Sequence, residues 1–259
     1  MNKLLTYFRY FLDYMKFGDL GSVVASFRYI VSKKSHSSDR VIRTSAGIFY
    51  CRKNTNDFQF ANYYYEWGVK KYLLDHHKEY TVFIDGGACV GGYSILMARL
   101  GLRTIAFEPV QFNYAVLMKN LELNKLTSKV EAFPIGLGDK SFAADFVFNP
   151  VNTGASHIAA ANETSNCTVD ISAFDSIYPT LGIKKEDRIL VKLDVEGMEP
   201  LALLGAEQFI RTFPNLTFVL EDKHSGEDSI KDSLNRFASF DYGIVDEFNI
   251  FAKKYNRNS

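Results

Sequence analysis

A glycine-rich turn between an apolar strand and an apolar helix constrains the fold of this 259-residue chain more than any other feature. Residues 82–84 are apolar, Asp85 follows them, and four glycines occur within residues 86–92. Apolar residues then recur from position 93 to position 100. A buried strand, a tight turn and a helix in this order are typical of the first βαβ unit of a Rossmann-like sheet, where glycines let backbone N–H groups approach a ligand.

An acidic residue at the end of the next strand indicates what that ligand is. The strand predicted at residues 104–107 ends at Glu108, 21 residues after Gly87, where a carboxylate can accept hydrogen bonds from ribose hydroxyls. The turn does not have the glycine spacing of the dinucleotide fingerprint, and the Asp85 carboxylate would repel the pyrophosphate of NAD. The same carboxylate suits the ammonium and sulfonium groups of S-adenosylmethionine, which we therefore expect as the cofactor. The alternative for Asp85 is a helix N-cap.

Three segments together carry a resemblance to a known family. They are the glycine-rich turn, Ala-Phe-Glu-Pro at residues 106–109, and Leu-Val-Lys-Leu-Asp-Val-Glu-Gly-Met-Glu at residues 190–199. In this order they resemble the FkbM-type family of S-adenosylmethionine-dependent methyltransferases, over roughly residues 41–253. Cys89 stands where the family commonly has asparagine, so a side-chain contact at that position cannot be carried over.

The resemblance implies a fold, a reaction and a cofactor site. The fold is the Rossmann-like α/β fold of class I methyltransferases, with a mostly parallel seven-stranded sheet and helices on both faces. The reaction is usually O-methylation of a sugar, glycan or natural-product hydroxyl. In such enzymes an acidic residue after the third strand commonly contacts the adenine amino group, and here Asp139 holds that position, although a turn aspartate is an almost equal alternative. The expected cofactor-binding residues are Asp85, Gly86, Gly87, Ala88, Gly91, Glu108, Asp139 and Asp194.

Three residues at the ends of later strands are candidates for catalysis. Asp194 ends a strand predicted at residues 189–193 and is expected beside the methionine part of the cofactor. Glu196 is placed to reach the acceptor. His224 follows a strand predicted at residues 216–220, at the edge where open α/β sheets bind ligands, and an imidazole side chain suits a general base.

Other polar residues near this edge support weaker hypotheses. Glu199 is expected to stabilise the start of the next helix. His157, in a small-residue loop, is a further candidate base. Asp194 with Glu221 or Asp222 could instead bind a divalent metal, but so few carboxylates are too generic, and no metal site is predicted.

The chain is expected to divide into a helical extension and linker at residues 1–40 and a methyltransferase domain at residues 41–259. The domain begins with a hairpin predicted over residues 41–51 and has a hairpin or lid insertion at about residues 140–172. Residues 58–74 are predicted as one aromatic helix that packs in the core or lines an acceptor pocket.

Within the extension, apolar residues recur on one helical face, namely Leu4, Phe8, Phe11, Leu12 and Met15. This pattern indicates packing on the core or on a second subunit, as in a homodimer. Basic residues at Lys3, Arg9 and Lys16 leave weak contact with a membrane surface as an alternative.

Composition excludes some partners and leaves several functions open. The formal net charge of zero gives no reason to expect nucleic-acid binding, and no apolar run reaches the roughly 18 residues of a membrane span. Three widely separated cysteines indicate reduced thiols and a cytoplasmic protein. An N- or C-methyltransferase and a catalytically silent cofactor-binding module remain as alternatives to an O-methyltransferase that acts on a small molecule or a glycan.

Overall fold

The computed structural model describes residues 3–154, 156–159 and 162–255, with helices on both faces of a central sheet. The helices of this part of the chain are α1 (Lys3–Lys16), α2 (Leu20–Ser32), α3 (Asp57–Ala61), α4 (Trp67–His76), α5 (Gly92–Arg99), α6 (Gln111–Leu123), α7 (Glu199–Leu204), α8 (Glu207–Thr212) and α9 (Glu227–Asn235). Its strands are β1 (Arg40–Arg43), β2 (Ile48–Cys51), β3 (Val82–Gly86), β4 (Arg103–Phe107), β5 (Val130–Phe133), β6 (Gly136–Gly138), β7 (Phe142–Val147), β8 (His157–Ile158), β9 (Cys167–Ala173), β10 (Ile189–Leu193), β11 (Leu216–Glu221), β12 (Phe240–Ile244) and β13 (Asn249–Lys254).

The central sheet has seven strands in the order β12-β13-β11-β10-β3-β4-β5. The neighbours from β11 to β5 are parallel, whereas β13 runs antiparallel to β11 and β12. In the sheet register, Gly86 at the end of β3 lies between Leu193 of β10 and Phe107 of β4. The prediction of a mostly parallel seven-stranded Rossmann-like sheet is confirmed, and the carboxyl ends of its central strands meet at one edge.

The two central strands β3 and β10 are buried on both faces, which explains their nearly continuous apolar sequences. All five residues of each strand are buried. Ile84 packs in the hydrophobic cluster under α7, α8 and α9, whereas Phe83 packs in the cluster on the other face with α4 and α5. The two charged residues of these strands, Asp85 and Lys192, are neighbours in the register.

The outward face of α1 differs from the prediction of core packing. Its predicted core side chains are 39–55 % exposed, namely Phe8, Phe11, Leu12 and Met15. The side chains of Lys3 and Leu4 lie outside the described part of the chain. Of the two packings predicted for this face, on the core or on a second subunit, packing on the core is therefore wrong for the four side chains that the structure describes.

The inward face of α1 carries Asp13 and Tyr14 instead, which are 2 % and 0 % exposed. The Tyr14 hydroxyl donates to the Phe58 carbonyl at 2.7 Å. The Asp13 carboxylate accepts from the backbone N–H groups of Ser45 at 3.0 Å and Tyr63 at 2.9 Å. Because backbone groups satisfy these polar ends, residues that look like surface positions in the sequence can lie in the core.

One hydrophobic cluster joins the N-terminal helices to the rest of the chain. Tyr14 of α1 and Ala25 of α2 are buried in the same cluster as Phe49 of β2, Ile95 of α5 and Leu117 of α6. The predicted extension at residues 1–40 therefore shares a core with the residues that follow it. The antiparallel pair of β1 and β2 confirms the predicted hairpin.

The helix predicted over residues 58–74 is interrupted between α3 and α4. The Asn62 side-chain oxygen accepts from the Tyr64 N–H at 2.9 Å, which is the local side-chain turn that competes with a helix. Glu66 then has a left-handed backbone conformation with φ of 48°. This break turns residues 62–66 towards the carboxyl edge of the central sheet.

The insertion predicted at about residues 140–172 is built around a second, smaller sheet. Its strand order is β6-β9-β7-β8, and β7 pairs antiparallel with β9. Ile171 and Phe146 are buried between this sheet and Val110. In the loop between β7 and β8, the Thr153 carbonyl accepts from the Asn113 side-chain amide at 3.1 Å, so this loop lies against α6.

No helix among the described residues is long and apolar enough to cross a bilayer. Cys51, Cys89 and Cys167 are free thiols.

A close backbone approach separates α7 from α8. An added Cβ at Gly205 would lie 1.9 Å from the Gly138 carbonyl oxygen. The Gly205 carbonyl also accepts from the Asp175 N–H at 2.8 Å, and the Asp175 carboxylate caps α8. Gly205 thus joins the small sheet to the helical layer of the large one.

Replacement of Gly205 by alanine tests this contact. We expect Gly205→Ala to lower the free energy of unfolding by about 3 kcal/mol or more, because the backbone of β6 must move to admit the methyl group. Urea unfolding measures this change. Gly182→Ala is the control, because its φ of 61° is strained but its Cβ would meet nothing within 4 Å, so a cost of roughly 1–2 kcal/mol is expected. Equal losses in the two variants would contradict the assignment.

Candidate active site

A cavity of about 1250 Å³, including its open mouth, lies at the carboxyl edge of the central strands. Four connections between strands and helices supply much of its wall. The rest comes from α5, the second sheet, residues 60–66 and the end of β11. These connections are the glycine-rich turn after β3, the turn after β4, the loop between β7 and β8, and the loop after β10. The principal lining segments are residues 87–90, 108–110, 152–154 and 194–196.

The Glu108 carboxylate fixes the first two of these connections against each other. Its Oε2 accepts from the Cys89 N–H and its Oε1 accepts from the Val110 N–H, each at 2.8 Å. Glu108 is 4 % exposed, and burial raises the pKa of its carboxyl to about 7, although the two backbone N–H groups oppose this shift. Each oxygen retains further acceptor capacity towards the cavity that it lines.

Gly87 is required in the turn for two reasons. Its φ is 86°, and an added Cβ would lie 1.9 Å from the Asp194 carbonyl oxygen. The N–H groups of Gly87 and Ala88 both donate to the Phe107 carbonyl, at 3.0 and 2.9 Å. The turn is therefore held against β4 and the end of β10, and both Gly87 and Ala88 line the cavity.

Asp85 lies behind the cavity rather than in its lining, contrary to its predicted direct contact with a cationic ligand. The side chain is fully buried, and its Oδ2 accepts from the Ser94 hydroxyl at 2.5 Å. Oδ1 has no hydrogen-bond partner among the described residues. Burial raises the pKa of Asp85, and nearby Lys192 opposes this shift. Asp85 is thus an internal charge that faces α5.

Three other predicted cofactor residues also lie outside the lining. Gly86 ends β3 beneath the Leu193 side chain, and Gly91 precedes α5 with φ of 90°. The Asp139 side chain is exposed to solvent after β6. Asp139 therefore does not face the cavity, which supports the alternative of a turn aspartate.

The loop after β10 supplies an ion pair. The Lys192 ammonium lies 2.8 Å from the Asp194 carboxylate and 4.7 Å from the centre of the Tyr93 ring. Burial alone lowers the pKa of Lys192, but the carboxylates of Asp194, Glu66 and Asp85 outweigh it, so the net shift is upward. Lys192 and Asp194 both line the cavity.

Glu66 also lines this part of the cavity, although no sequence pattern predicts it there. Its Oε2 accepts from the Tyr93 hydroxyl at 2.6 Å, and burial raises the pKa of its carboxyl. Glu66 lies inside the helix predicted over residues 58–74. The left-handed backbone conformation that turns its side chain towards the cavity cannot be recognised from the sequence pattern. Of the neighbouring aromatic cluster, Tyr65 lines the cavity, whereas Trp67 lies under the Arg9 guanidinium.

Glu196 and His224 approach each other although 28 positions separate them, because they follow adjacent parallel strands. Glu196 Oε2 lies 3.3 Å from His224 Nε2. Glu196 has φ of 53° and lines the cavity, whereas His224, with its side chain 43 % exposed, flanks it without lining it. Burial, followed by the charge of Asp194, raises the pKa of Glu196 to about 7.

A further acid completes this wall. Burial, followed by the charges of Asp194 and Glu196, raises the pKa of Glu221 to about 8. One ligand atom from each of Glu196, Glu221 and His224 lies within 4.8 Å of the others, a spacing that can share a proton or accept a cation. The positive charge of a bound ligand would offset the mutual repulsion of these acids.

The remaining candidates have other partners. Glu199 is 1 % exposed, and its Oε1 accepts from the Val195 N–H at 2.8 Å, so it supports the loop before α7. His157 forms an exposed pair with Glu163 at 3.1 Å and does not line the cavity. Asp222 likewise lies outside the lining.

Comparison with solved structures found several methyltransferases with similar folds. One is an FkbM methyltransferase from Methylobacillus flagellatus, with 17 % identity, a TM-score of 0.48, and coverage of 78 % of this chain and 56 % of that one. Another is an S-adenosylmethionine-dependent methyltransferase from Agrobacterium tumefaciens, with 8 % identity, a TM-score of 0.49, and coverage of 86 % and 71 %. The matched region thus spans little more than half of the M. flagellatus protein. No curated protein matches the sequence significantly.

A family model gives the assignment. The model of the methyltransferase FkbM domain matches residues 85–244, which is more than half of the chain. This region runs from the end of β3 to the end of β12 and contains most of the lining of the cavity. The chain therefore belongs to the FkbM family of S-adenosylmethionine-dependent methyltransferases.

Proposed function

We propose that this protein transfers the methyl group of S-adenosylmethionine to a hydroxyl oxygen of a sugar, a glycan or a natural product. The observation that carries the proposal is the Glu196–His224 pair at the edge of a carboxylate-lined cavity. A hydroxyl group must lose its proton when its oxygen is methylated, and a carboxylate with a pKa of about 7 suits a general base near neutral pH.

The carboxylates of the cavity fit the polar parts of the cofactor. Glu66, Asp194, Glu196 and Glu221 provide negative charge for an ammonium and a sulfonium group. Glu108, whose oxygens keep acceptor capacity, suits the ribose hydroxyls. When bound, the cofactor supplies a methyl group on positively charged sulfur.

Apolar side chains beyond Glu108 provide a place for a flat base. Val110, Leu137, Phe146 and Ile171 line this part of the cavity and come from α6 and the small sheet. Since ligand pockets combine apolar walls with few polar groups, we assign the adenine to this wall in place of a contact with Asp139.

Another part of the lining suits a hydroxyl-rich acceptor. Asn152, Thr153 and Ser156 contribute small polar groups from the loop between β7 and β8, and Phe60 and Tyr65 contribute aromatic faces. The Asn56 side-chain oxygen accepts from the Thr153 N–H at 3.0 Å, which holds the loop over the cavity. We propose that this loop covers the acceptor, as a fixed wall that excludes water.

Glu196 is the better placed of the two candidate bases. It lines the cavity, whereas His224 contacts it from the solvent side. We therefore assign removal of the acceptor's hydroxyl proton to the Glu196 carboxylate, which later releases that proton to solvent. His224 has a positioning role. Asp194 holds Lys192 and adds to the negative charge rather than acting as a base.

Removal of the Glu108 carboxylate tests ribose recognition. We expect Glu108→Ala to weaken cofactor binding by about 1.5–3 kcal/mol, the range for hydrogen bonds to a charged group. Isothermal titration with S-adenosylhomocysteine measures the change. Glu108→Gln is the matched variant, because its amide oxygen can keep one of the two backbone hydrogen bonds; it should lose less. Unchanged affinity in a folded Glu108→Ala protein would rule out the ribose contact.

The raised pKa values predict a pH-dependent preference for the cationic cofactor. Glu196 and Glu221, with pKa values of about 7 and 8, are largely neutral at pH 6 and largely charged at pH 9. Binding of S-adenosylmethionine relative to S-adenosylhomocysteine should therefore strengthen by about fivefold or more as the pH rises, since only the former has the sulfonium charge.

Titrations of both ligands at several pH values measure this ratio. Glu221→Gln should flatten its pH dependence, whereas Glu207→Gln, on the outer face of α8, should leave it unchanged. A ratio that is independent of pH in the wild-type protein would place the sulfonium away from these acids.

Two variants distinguish the candidate bases. With radiolabelled cofactor and a panel of nucleotide sugars and glycans as acceptors, Glu196→Gln should lower turnover by on the order of 10²–10⁴ and abolish the fall in rate below about pH 7. His224→Ala should lower turnover less, and its rate should still fall below about pH 7. The reverse pattern would make His224 the base, and full activity in both variants would exclude the pair.

A further inference from the structure

The two N-terminal helices present apolar stripes that no described residue covers. On α1, Phe8, Phe11, Leu12 and Met15 follow helical spacing and are 39–55 % exposed. On α2, Leu20, Val24, Phe27 and Val31 do the same and are 55–87 % exposed. Twelve of the 21 exposed large hydrophobic side chains of the described chain lie between Leu5 and Val31, so this exposure is concentrated in one part of the surface.

The rotation of α1 is fixed, so its stripe cannot turn inward. On the face of α1 opposite to the stripe, the Tyr14 hydroxyl donates to the Phe58 carbonyl, and the Asp13 carboxylate accepts from two backbone N–H groups. Asp19 likewise caps α2, where its Oδ1 accepts from the Ser22 N–H at 3.1 Å. The stripes are thus the outward faces of helices whose inward faces are already packed.

Within the segment that carries the stripes, the exposed charges all have one sign. The exposed charged residues between positions 5 and 34 are Lys16, Arg28, Lys33 and Lys34. The two acidic residues of this stretch, Asp13 and Asp19, are 2 % and 9 % exposed. The chain as a whole has no net charge, so this basic surface is a local feature.

We propose that α1 and α2 bind the surface of an anionic lipid bilayer, with their apolar stripes among the acyl chains and their basic residues at the headgroups. Aromatic and aliphatic side chains flanked by lysine and arginine are the composition of helices that lie in a membrane interface. A second copy of the chain fits this surface less well, because a twofold pairing would bring the basic residues of both copies together. This inference does not depend on the proposed methyl transfer.

Co-sedimentation of the full chain with vesicles tests the proposal. The protein should bind vesicles that contain phosphatidylglycerol, bind vesicles of phosphatidylcholine alone more weakly, and dissociate as salt is added. Phe27→Ser/Val31→Ser should weaken binding about tenfold or more. The matched control Phe112→Ser/Ile244→Ser changes side chains of comparable exposure elsewhere, at 67 % and 80 %, and should bind as the wild type does.

A second pair of variants isolates the charges. Lys33→Gln/Lys34→Gln should reduce the preference for anionic vesicles, whereas Lys184→Gln/Lys185→Gln, another exposed lysine pair, should not. Titration with S-adenosylhomocysteine verifies that each variant is folded. Absence of vesicle binding by the wild type would overturn the proposal. So would a dimer in sedimentation velocity that Phe27→Ser/Val31→Ser abolishes without any vesicle binding, because the surface would then pair two copies.

Discussion

The hydrogen bonds of one buried carboxylate hold the candidate site together. Glu108 accepts from the N–H groups of Cys89 and Val110 and so joins the turns that follow two neighbouring strands. Cys89 is held with φ of 49°, a conformation that a non-glycine residue adopts at a cost, and the Glu108 bond helps to compensate for it. The apolar wall on α6 and the glycine-rich turn keep their relative positions because both are fixed to this side chain.

A second constraint is the balance of charge around Lys192. This ammonium is almost completely buried, and the acids Glu66, Asp85 and Asp194 surround it. Lys70 also acts on Glu66, and Lys223 acts on Glu196 and Glu221, yet burial and the neighbouring acids keep the pKa values of these three carboxyls raised. The site is therefore most complementary to a ligand that brings positive charge of its own, which agrees with the cofactor of the family.

The sequence predicted the parts of this arrangement that depend on burial and topology. Strands buried on both faces appear as continuous apolar runs, and the residues that end them meet at one edge of a parallel sheet. Glu108, Asp194 and Glu196 were found in this way.

The direction of a side chain is not contained in such a pattern. Asp85 lies next to the end of β3 and Asp139 follows β6, yet the side chain of Asp85 is buried and that of Asp139 is exposed. Glu66 was missed because its position depends on a local break in a helix, and the inward face of α1 was missed because it is polar.

That inward face links the surface of the molecule to its cavity. The Tyr63 N–H donates to Asp13, and the Asn62 amide donates to the Tyr10 carbonyl at 3.3 Å. The Asn62 backbone carbonyl also accepts a hydrogen bond from the Lys70 ammonium at 2.6 Å. Tyr65 and Glu66 follow Asn62 within four positions of the chain. A displacement of α1 must therefore either break these hydrogen bonds or carry the segment of Tyr65 and Glu66 with it. Movement of α1 is therefore coupled to the part of the cavity wall that Tyr65 and Glu66 form.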